Sequence, residues 1–310
     1  MSKILITGGG GYVGSMLCTT LVNLGHEVTV VDLMKYDRGS LNHLYYHKNF
    51  KLIKKDVRDV KLLKKVIRKN EYIIPLAALV GAPLCDKNKK DAVSVNYKSI
   101  KDLVSLCSKK NKIIFLTTNS GYGVGEKNKF CDENSPLRPI SLYGKTKCDA
   151  ENEVIKSRNF ICFRLATVFG PSPRMRLDLL VNDFTFRAFK DEFIVLYESN
   201  FKRNYIHVND IANVFLFCIE NKKTNNEIFN VGLSDTNISK LELCETIKKF
   251  VPTLNIIESQ YKKDPDQRNY IVSNAKIEKA GFKTMYSLED GITSLLKTFK
   301  IIGKNIHSNI

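Results

Sequence analysis

A run of glycines near the start of the chain is the feature that most restricts its fold. Gly8 to Gly11, with a further glycine at Gly14, separate the short apolar run Lys3–Ile6 from the helical pattern Tyr12–Leu24. A strand, a glycine turn and a helix in this order begin a dinucleotide-binding βαβ unit, in which the glycines allow a tight turn, close approach to a pyrophosphate and close helix packing. The predicted cofactor loop comprises Gly8, Gly11, Tyr12, Val13 and Gly14.

Short apolar runs alternate with helical patterns through the first half of the chain. The predicted strands are Lys3–Ile6, Glu27–Val31, Lys51–Lys54, Tyr72–Ile74, Lys112–Leu116 and Phe160–Leu165. Helices are predicted at Tyr12–Leu24, Val60–Arg68, Asp91–Ser108 and around Tyr143 and Lys147. Because strands that alternate with helices are joined by right-handed crossovers, the pattern predicts an α/β fold with a doubly wound, mostly parallel sheet.

The ends of the early strands carry the remaining candidates for cofactor binding. Asp32 closes the second strand, where a carboxylate would accept hydrogen bonds from the adenosine ribose and repel a 2′-phosphate, which favours NAD over NADP. The alternative for Asp32 is an ordinary turn residue at the end of a strand. Asp56 and Val57 follow the third strand, where we expect contact with adenine. After the fourth strand, Leu76, Ala77 and Ala78 offer small side chains where a cofactor passes closely.

Length, composition and charge exclude several classes of protein. The 310 residues are 43% hydrophobic, enough for a substantial core, and no segment is long and apolar enough to span a bilayer. Met1-Ser2-Lys3 leads directly into the first strand, so we expect no signal peptide. The eight cysteines include no C-x-x-C pair, so neither a disulfide framework nor a metal site is predicted, and a cytoplasmic location fits.

The net charge of +17 raises the possibility of nucleic-acid binding. The excess consists mostly of lysines spread over helix faces, such as Lys61, Lys64 and Lys65, and no aromatic-rich basic groove is evident. This distribution favours a solvated surface and an anionic small-molecule substrate over an RNA-binding surface.

The segment Tyr143-Gly144-Lys145-Thr146-Lys147 predicts a catalytic pair. A tyrosine and a lysine four residues apart lie on one face of a helix, so the ammonium can sit beside the phenol. Together with a cationic nicotinamide, this neighbour would lower the pKa of the Tyr143 phenol and make it a usable base. The pair points to hydride chemistry on an alcohol.

The chain resembles the extended short-chain dehydrogenase/reductases, in their NAD-dependent nucleotide-sugar epimerase and dehydratase branch. The resemblance spans nearly the whole sequence and rests on Thr7–Gly14, Asp32, Asp56-Val57, Leu76-Ala77-Ala78, Thr118, Tyr143-x-x-x-Lys147, Phe163-Arg164, Arg203–Val208, Asn230-Val231-Gly232 and Arg268. It implies an NAD-binding Rossmann domain over residues 1–169 and a smaller, mainly substrate-binding region over 170–310, with about 205–232 returning to the Rossmann core. It also implies that Thr118 is the third catalytic residue and that Asn96 is structural.

Three positions depart from the family pattern. Pro75 replaces a frequent histidine, and Thr167 stands where many members place an asparagine that touches the substrate diphosphate. After Thr118 the chain has Asn119-Ser120 in place of the Asp-Glu pair of sugar-nucleotide 4,6-dehydratases, and decarboxylating relatives likewise carry a glutamate at the position of Ser120. Neither side chain can supply an acid or a base near neutral pH. Oxidation or epimerisation at C4 is therefore favoured over dehydration and decarboxylation.

The substrate side is expected to bind a nucleoside-diphosphate sugar. Guanidinium groups match phosphate oxygens bidentately, and Arg203 and Arg268 match family positions with that role. The predicted substrate-binding residues are Asn119, Ser120, Arg174, Arg176, Asn182, Arg203 and Arg268. Arg174 and Arg176 could equally be surface charges, and Asn182 could cap a turn. His207 is interpreted as structural.

The resemblance supports a mechanism and leaves alternatives open. Tyr143 takes the proton from the sugar 4-hydroxyl, Lys147 holds the phenolate and the nicotinamide ribose, and Thr118 hydrogen-bonds the reacting oxygen. The enzyme is either a 4-epimerase or a 4-dehydrogenase of surface-polysaccharide sugar synthesis. The segments 74–85 and 119–123 resemble GDP-heptose 4-dehydrogenases. The alternatives are a 4,6-dehydratase, a non-catalytic NAD-binding sensor and an RNA-binding family member. A homodimer through helices Asp91–Ser108 and Ser141–Lys156 is expected.

Overall fold

The computed structural model describes residues 1–36, 39–126, 128–259 and 267–302. The strands are β1 (Lys3–Thr7), β2 (Glu27–Asp32), β3 (Phe50–Lys54), β4 (Tyr72–Pro75), β5 (Lys112–Thr118), β6 (Phe130–Cys131), β7 (Phe160–Leu165), β8 (Thr167–Phe169), β9 (Phe193–Tyr197), β10 (Lys202–Arg203), β11 (Tyr205–His207), β12 (Glu227–Val231), β13 (Ile238–Ser239), β14 (Asn255–Ser259) and β15 (Ile271–Val272).

Helices connect most of these strands. They are α1 (Tyr12–Asn23), α2 (Val60–Ile67), α3 (Ala82–Lys87), α4 (Lys89–Val93), α5 (Ser99–Leu106), α6 (Leu142–Ile155), α7 (Leu180–Lys190), α8 (Val208–Glu220), α9 (Lys240–Lys248), α10 (Ala275–Lys279) and α11 (Leu288–Ile302). Among the described residues, no helix combines the length and the apolar character that crossing a bilayer requires.

A seven-stranded sheet with the order β12-β7-β5-β4-β1-β2-β3 forms the centre of the molecule. Every neighbouring pair in it is parallel; Ile6, for example, pairs with Val30 on one side and with Ile74 on the other. The prediction of a doubly wound parallel sheet is confirmed. The strand order reverses at the junction of β1 and β4, and ligands of such sheets bind outside the carboxyl ends of the strands at this point.

Helices cover both faces of the sheet because successive side chains of a strand point to opposite sides. Ile4 and Ile6 of β1 belong to a core that includes Leu17 of α1 and Phe215 of α8. Leu5, between them, belongs to the opposite core with residues of α2, α5 and α6. Burial of all three β1 side chains is complete, which explains why this strand reads as a continuous apolar run.

A third core holds the C-terminal part of the chain together. Its buried side chains come from α7, α9 and α11, among others, and include Val181, Leu243 and Leu295. Within the described ranges, four pairs of short strands lie outside the main sheet: β8 with β11, β9 with β14, β10 with β13 and β6 with β15. Residues 205–231 contribute β11, α8 and the edge strand β12 of the main sheet.

The helix predicted at Asp91–Ser108 is not one continuous α-helix. Helix α4 ends at Val93, one π-helical segment spans Ser94–Lys98, and α5 continues to Leu106. Asn96 lies in the π segment with its side chain 1% exposed, and it accepts from the amide of Leu79 at 2.8 Å and donates to the carbonyl of Leu79 at 2.9 Å. This side chain holds the loop that follows β4, in keeping with the structural role expected for Asn96.

Candidate active site

A cavity of about 1300 Å³ lies over the carboxyl ends of the central strands. Its lining includes nearly all the residues predicted for the site: Gly8, Gly11, Tyr12, Val13, Gly14, Asp32, Asp56, Val57, Leu76, Ala77, Ala78, Thr118, Ser120, Tyr143, Lys147, Arg174, Arg176, Arg203 and Arg268. Asn119 and Asn182 do not line it. The fold thus brings residues from across the chain to one concave site.

The glycine loop is shaped for close approach of a ligand to the backbone. Gly8 has φ +75°, and a side chain there would collide with the backbone of Ala77. At Gly14 a side chain would collide with the carbonyl oxygen of Gly8. A Cβ on Gly11 would meet only that carbonyl, at 3.2 Å, and Gly11 is the N-cap of α1. Gly11 therefore leaves the N-terminus of α1 open to the cavity, which suits a pyrophosphate.

Asp32 uses both carboxylate oxygens to hold the cofactor loop. Oδ2 accepts a hydrogen bond from the amide of Gly10 at 2.9 Å, and Oδ1 accepts one from the amide of Met34 at 2.7 Å. Partial burial raises the pKa of Asp32, and these two bonds oppose the rise. Gly10, which was not predicted, fits closely here: a Cβ would lie 3.2 Å from Oδ2 and 2.6 Å from the sulfur of Met34, so the Met34 side chain would have to move. The run of four consecutive glycines, Gly8 to Gly11, could have indicated Gly10 from the sequence.

Asp56 is paired with a residue that sequence reasoning missed. The guanidinium of Arg58 donates to the two oxygens of Asp56 at 3.0 Å and 2.7 Å, and it also reaches Asp91 at 2.8 Å. The Arg58 bonds hold the pKa of Asp56 below its usual range. This bridge ties the loop after β3 to α4, and Asp56, Arg58 and Asp91 all line the cavity.

Helix α6 presents the predicted catalytic pair. Ser141 caps it, accepting from the amide of Gly144 at 3.1 Å, so the helix begins one residue before Tyr143. Lys147 is 6% exposed, and its ammonium lies 4.2 Å from the centroid of the Phe115 ring. Burial lowers the pKa of Lys147 to about 8 and raises the pKa of Tyr143 to about 12, with the Arg176 guanidinium as the leading opposing influence on Tyr143. In the protein alone, burial outweighs the lowering of the Tyr143 pKa that the sequence predicts.

Thr118 lies at the end of β5 in a short polar chain. Its hydroxyl accepts from the amide of Ser120 at 3.1 Å and donates to the hydroxyl of Ser120 at 2.9 Å. Arg268 in turn donates to the Ser120 hydroxyl. The predicted catalytic threonine and a predicted phosphate ligand are therefore linked through Ser120. Asn119 is 1% exposed and lies outside the cavity, so the structure separates it from Ser120.

The loop after β8 carries two arginines into the cavity. Arg176 forms an ion pair with Asp178, at 2.6 Å and 3.1 Å, and both side chains line the cavity. The guanidinium of Arg174 lies 5.0 Å from the centroid of the Tyr36 ring. Arg174 is 4% exposed and Arg176 is 7% exposed, so neither is a surface charge.

Asn182 holds this loop through hydrogen bonds to its backbone. Its side-chain oxygen accepts from the amide of Gly170 at 3.0 Å, and its amide group donates to the carbonyl of Arg176 at 2.8 Å. The side chain is completely buried. Of the two roles considered for Asn182, ligand contact is the one that this placement disfavours, because its polar atoms are occupied by protein groups away from the cavity.

Comparison with known proteins identifies the family. The model of the NAD dependent epimerase/dehydratase family matches residues 4–232. The chain belongs to this family. It is 26% identical over 312 residues to a putative UDP-glucose 4-epimerase of Methanocaldococcus jannaschii, covering 96% of this chain and 98% of that protein. It is 27% identical to UDP-glucuronic acid decarboxylase 1 of Xenopus tropicalis, covering 96% of this chain and 72% of the relative.

A solved structure shares the fold. The UDP-glucuronic acid 4-epimerase from Bacillus cereus, in complex with UDP-glucuronic acid and NAD, superposes with a TM-score of 0.85 at 23% identity, covering 97% of this chain and all of that one. The extended short-chain dehydrogenase/reductase resemblance and the Rossmann-type fold are thereby confirmed. The protein is an NAD-dependent enzyme of the nucleotide-sugar epimerase and dehydratase type.

Proposed function

We propose that this enzyme oxidises the C4 hydroxyl of a nucleoside-diphosphate sugar, as a 4-epimerase or a 4-dehydrogenase. The observation that carries the proposal is that Thr118, Tyr143 and Lys147 line the same cavity as the glycine loop and Asp32. Bound NAD supplies the hydride acceptor. A hydroxyl placed between Thr118 and Tyr143 can then lose its proton to the phenolate oxygen of deprotonated Tyr143 while its carbon is oxidised.

Charge around Tyr143 supports its role as the base. Besides burial, the strongest influences on its pKa include the guanidinium groups of Arg176 and Arg268, both of which favour the phenolate. Lys147, one helical turn away, holds positive charge on the same face of α6. The two guanidinium groups thus favour the anion formed when Tyr143 is deprotonated, against the larger opposing effect of burial, and binding of a cationic nicotinamide would add to them.

The side chains after Thr118 argue against dehydration and decarboxylation. Both reactions need a further carboxylic acid or carboxylate near the sugar, yet Ser120 lines the cavity and Asn119 lies outside it. Proton transfer at C4 by Tyr143 alone suffices for epimerisation or net oxidation.

The substrate diphosphate is assigned to the arginines of the cavity. Arg174, Arg176, Arg203 and Arg268 all line it. Arg203, 2% exposed, has its guanidinium 5.6 Å from the centroid of the Tyr270 ring, and Arg268 is bonded to Ser120. Buried guanidinium groups suit the two phosphates of a nucleotide sugar. The relatives named above act on UDP-sugars, and a GDP-heptose of a surface-polysaccharide pathway stays a prediction for this chain.

Incubation of the protein and NAD with UDP-, GDP-, CDP- and dTDP-sugars tests the proposal. Absorbance at 340 nm follows NADH, and NMR identifies the products. A C4 epimer without lasting NADH identifies a 4-epimerase, and a 4-keto product with stoichiometric NADH identifies a 4-dehydrogenase. A 4-keto-6-deoxy product would instead establish a dehydratase, and bound NAD without turnover of any sugar would establish a non-catalytic binding protein.

Two matched variants locate the chemistry. Tyr143→Phe removes the proposed base, so we expect kcat to fall about 10²- to 10⁴-fold, as the loss of a general base usually does. Lys145→Met, an exposed position on the same helix, should leave kcat unchanged. Normal turnover by Tyr143→Phe would refute the assignment of the base.

A further inference from the structure

The first turns of α1, which follow the glycine loop, are hydrogen-bonded directly to the loop 170–176, which carries Arg174 and Arg176. The hydroxyl of Tyr12 in the first turn of α1 donates to the carbonyl of Gly170 at 2.5 Å and accepts from the side chain of Asn182 at 3.3 Å. Tyr12 is 5% exposed and Asn182 is fully buried. A residue of the glycine-loop motif is thereby tied, by its side chain, to a segment more than 150 positions away.

Ser15, one turn further along α1, forms a second connection. Its hydroxyl lies 3.0 Å from that of Ser172 and accepts a hydrogen bond from the backbone amide of Arg174 at 3.2 Å. Ser172 in turn donates to the carbonyl of Tyr12 at 2.6 Å. The backbone that carries Arg174 is therefore fixed by the helix that begins at the pyrophosphate loop.

The same contacts determine where Arg176 lies. Asn182, which donates to the Tyr12 hydroxyl, also donates to the carbonyl of Arg176 and accepts from the amide of Gly170. The Tyr12 hydroxyl and the Asn182 amide thus hold both ends of the segment 170–176. A phenylalanine at position 12 would fill the same space but would leave the Gly170 carbonyl without this donor.

We infer that Tyr12 and Ser15 are positioning residues that hold the loop 170–176 so that Arg174 and Arg176 can bind the diphosphate of the substrate. The inference rests on the proposed function, which assigns these arginines to that diphosphate. Their own hydroxyls are committed to the loop, so Tyr12 and Ser15 act on the substrate side of the cavity although they belong to the cofactor helix. Their loss should weaken substrate binding more than NAD binding.

Binding measurements on Tyr12→Phe and Ser15→Ala test this. In NAD-saturated protein, the Kd for whichever of UDP, GDP, CDP and dTDP the wild type binds should rise about five- to tenfold in each variant, the usual effect of one lost buried hydrogen bond. The Kd for NAD should stay within about twofold, and in turnover KM should rise while kcat is kept. Tyr72→Phe is the matched control, because its hydroxyl bonds the carbonyl of Ile219 at 3.3 Å away from both loops.

Two results would overturn the inference. One is unchanged diphosphate affinity in both variants. The other is an equal loss of NAD and diphosphate affinity, which would mark Tyr12 and Ser15 as parts of the cofactor site only.

Amide hydrogen exchange separates this inference from the proposed function. If the wild type binds none of the four diphosphates, the proposed function fails, and the exchange of residues 170–176 decides about Tyr12 and Ser15. We expect exchange of the hydrogen-bonded amides of Gly170 in Tyr12→Phe and of Arg174 in Ser15→Ala to become about fivefold faster, while the central strands β1 and β4 keep their protection. Unchanged exchange in residues 170–176 would refute the positioning role.

Discussion

Glu151 of α6 accepts hydrogen bonds from the guanidinium of Arg164 on β7 at 2.7 Å and 3.1 Å, with both side chains buried. Glu151 follows Lys147 by four residues, as Lys147 follows Tyr143, so the three side chains lie along one face of the helix. The carboxylate of Glu151 acts against the burial-driven lowering of the Lys147 pKa. The pair fixes α6 against the sheet directly below the proposed catalytic residues.

Glu151→Gln should destabilise the protein strongly. The change leaves the buried Arg164 guanidinium without its carboxylate, and breaking a buried pair in this way costs about 3–5 kcal/mol. Denaturant unfolding monitored by circular dichroism measures the loss. Glu153→Gln is the matched control on the same helix, since Glu153 pairs with the exposed Lys156 and should change the free energy of unfolding by less than about 1 kcal/mol. Equal effects of the two variants would contradict the prediction.

Lys147→Met should alter how stability depends on pH. Burial lowers the pKa of Lys147 from 10.5 to about 8, so between these values the unfolded chain holds a proton that the folded protein has released. Folding of the wild type is therefore penalised below pH 8, and the penalty disappears as the pH rises toward 10.5. The stability of the wild type relative to Lys147→Met should rise over this window by about 3 kcal/mol, since one pKa unit corresponds to about 1.4 kcal/mol.

Unfolding of the two proteins at a series of pH values, without NAD, measures this difference. Lys145→Met provides the control, because Lys145 is exposed on the same helix and no such slope is expected for it. A difference that stays flat between pH 8 and 10.5 would show that Lys147 is not buried as described.

Asp32→Asn should weaken NAD binding and reduce the preference of the enzyme for NAD over NADP. The variant loses the negative charge that opposes a 2′-phosphate, and its amide nitrogen cannot accept the backbone hydrogen bond that one carboxylate oxygen accepts now. We expect the Kd for NAD to rise about tenfold, as for loss of a charged hydrogen-bonding group. Fluorescence titration with NAD and NADP measures both affinities, and the exposed Asp102→Asn should change neither. An unaltered ratio of the two affinities would exclude Asp32 from cofactor selection.

Ser120→Ala should affect both partners of its hydroxyl. Arg268 and Thr118 both donate to this hydroxyl, so each loses an acceptor, and the substrate and the reacting oxygen are held less well. We expect kcat/KM to fall about tenfold, consistent with the loss of about 1.4 kcal/mol of binding to the transition state. Steady-state kinetics measures this ratio, with the exposed Ser105→Ala as the control. Unchanged kinetics would show that the Thr118–Ser120–Arg268 chain is dispensable.

The sequence predicts those parts of the fold and the site that depend on residues close together in the chain. The strand, glycine turn and helix around Gly8 follow from steric limits on the backbone, and the alternation of apolar runs predicts the parallel sheet. The spacing of Tyr143 and Lys147 places them on one helix face because helical geometry requires it. Each of these inferences uses residues that are close in sequence.

Features that depend on tertiary contacts could not be predicted in this way. Arg268 meets Ser120 across 148 positions, and no local pattern indicates that contact. From the sequence, Asn182 could either contact the ligand or cap a turn. Its burial and its hydrogen bonds with Gly170 and Arg176 distinguish these two roles. The pKa of Tyr143 depends on how deeply the folded protein buries the phenol, which the four-residue spacing to Lys147 does not encode. The position of Asp32 at the end of β2 was predictable, whereas its hydrogen bond from the amide of Gly10 was not.

The two backbone hydrogen bonds to Asp32 also limit how this enzyme could evolve. The carboxylate that is predicted to disfavour a 2′-phosphate is the same group that accepts hydrogen bonds from the amides of Gly10 and Met34. A lineage that drifted toward NADP by replacing Asp32 would release the glycine loop in the same step and lose affinity for the shared pyrophosphate. A change of cofactor therefore requires at least a second, compensating substitution that anchors the loop again.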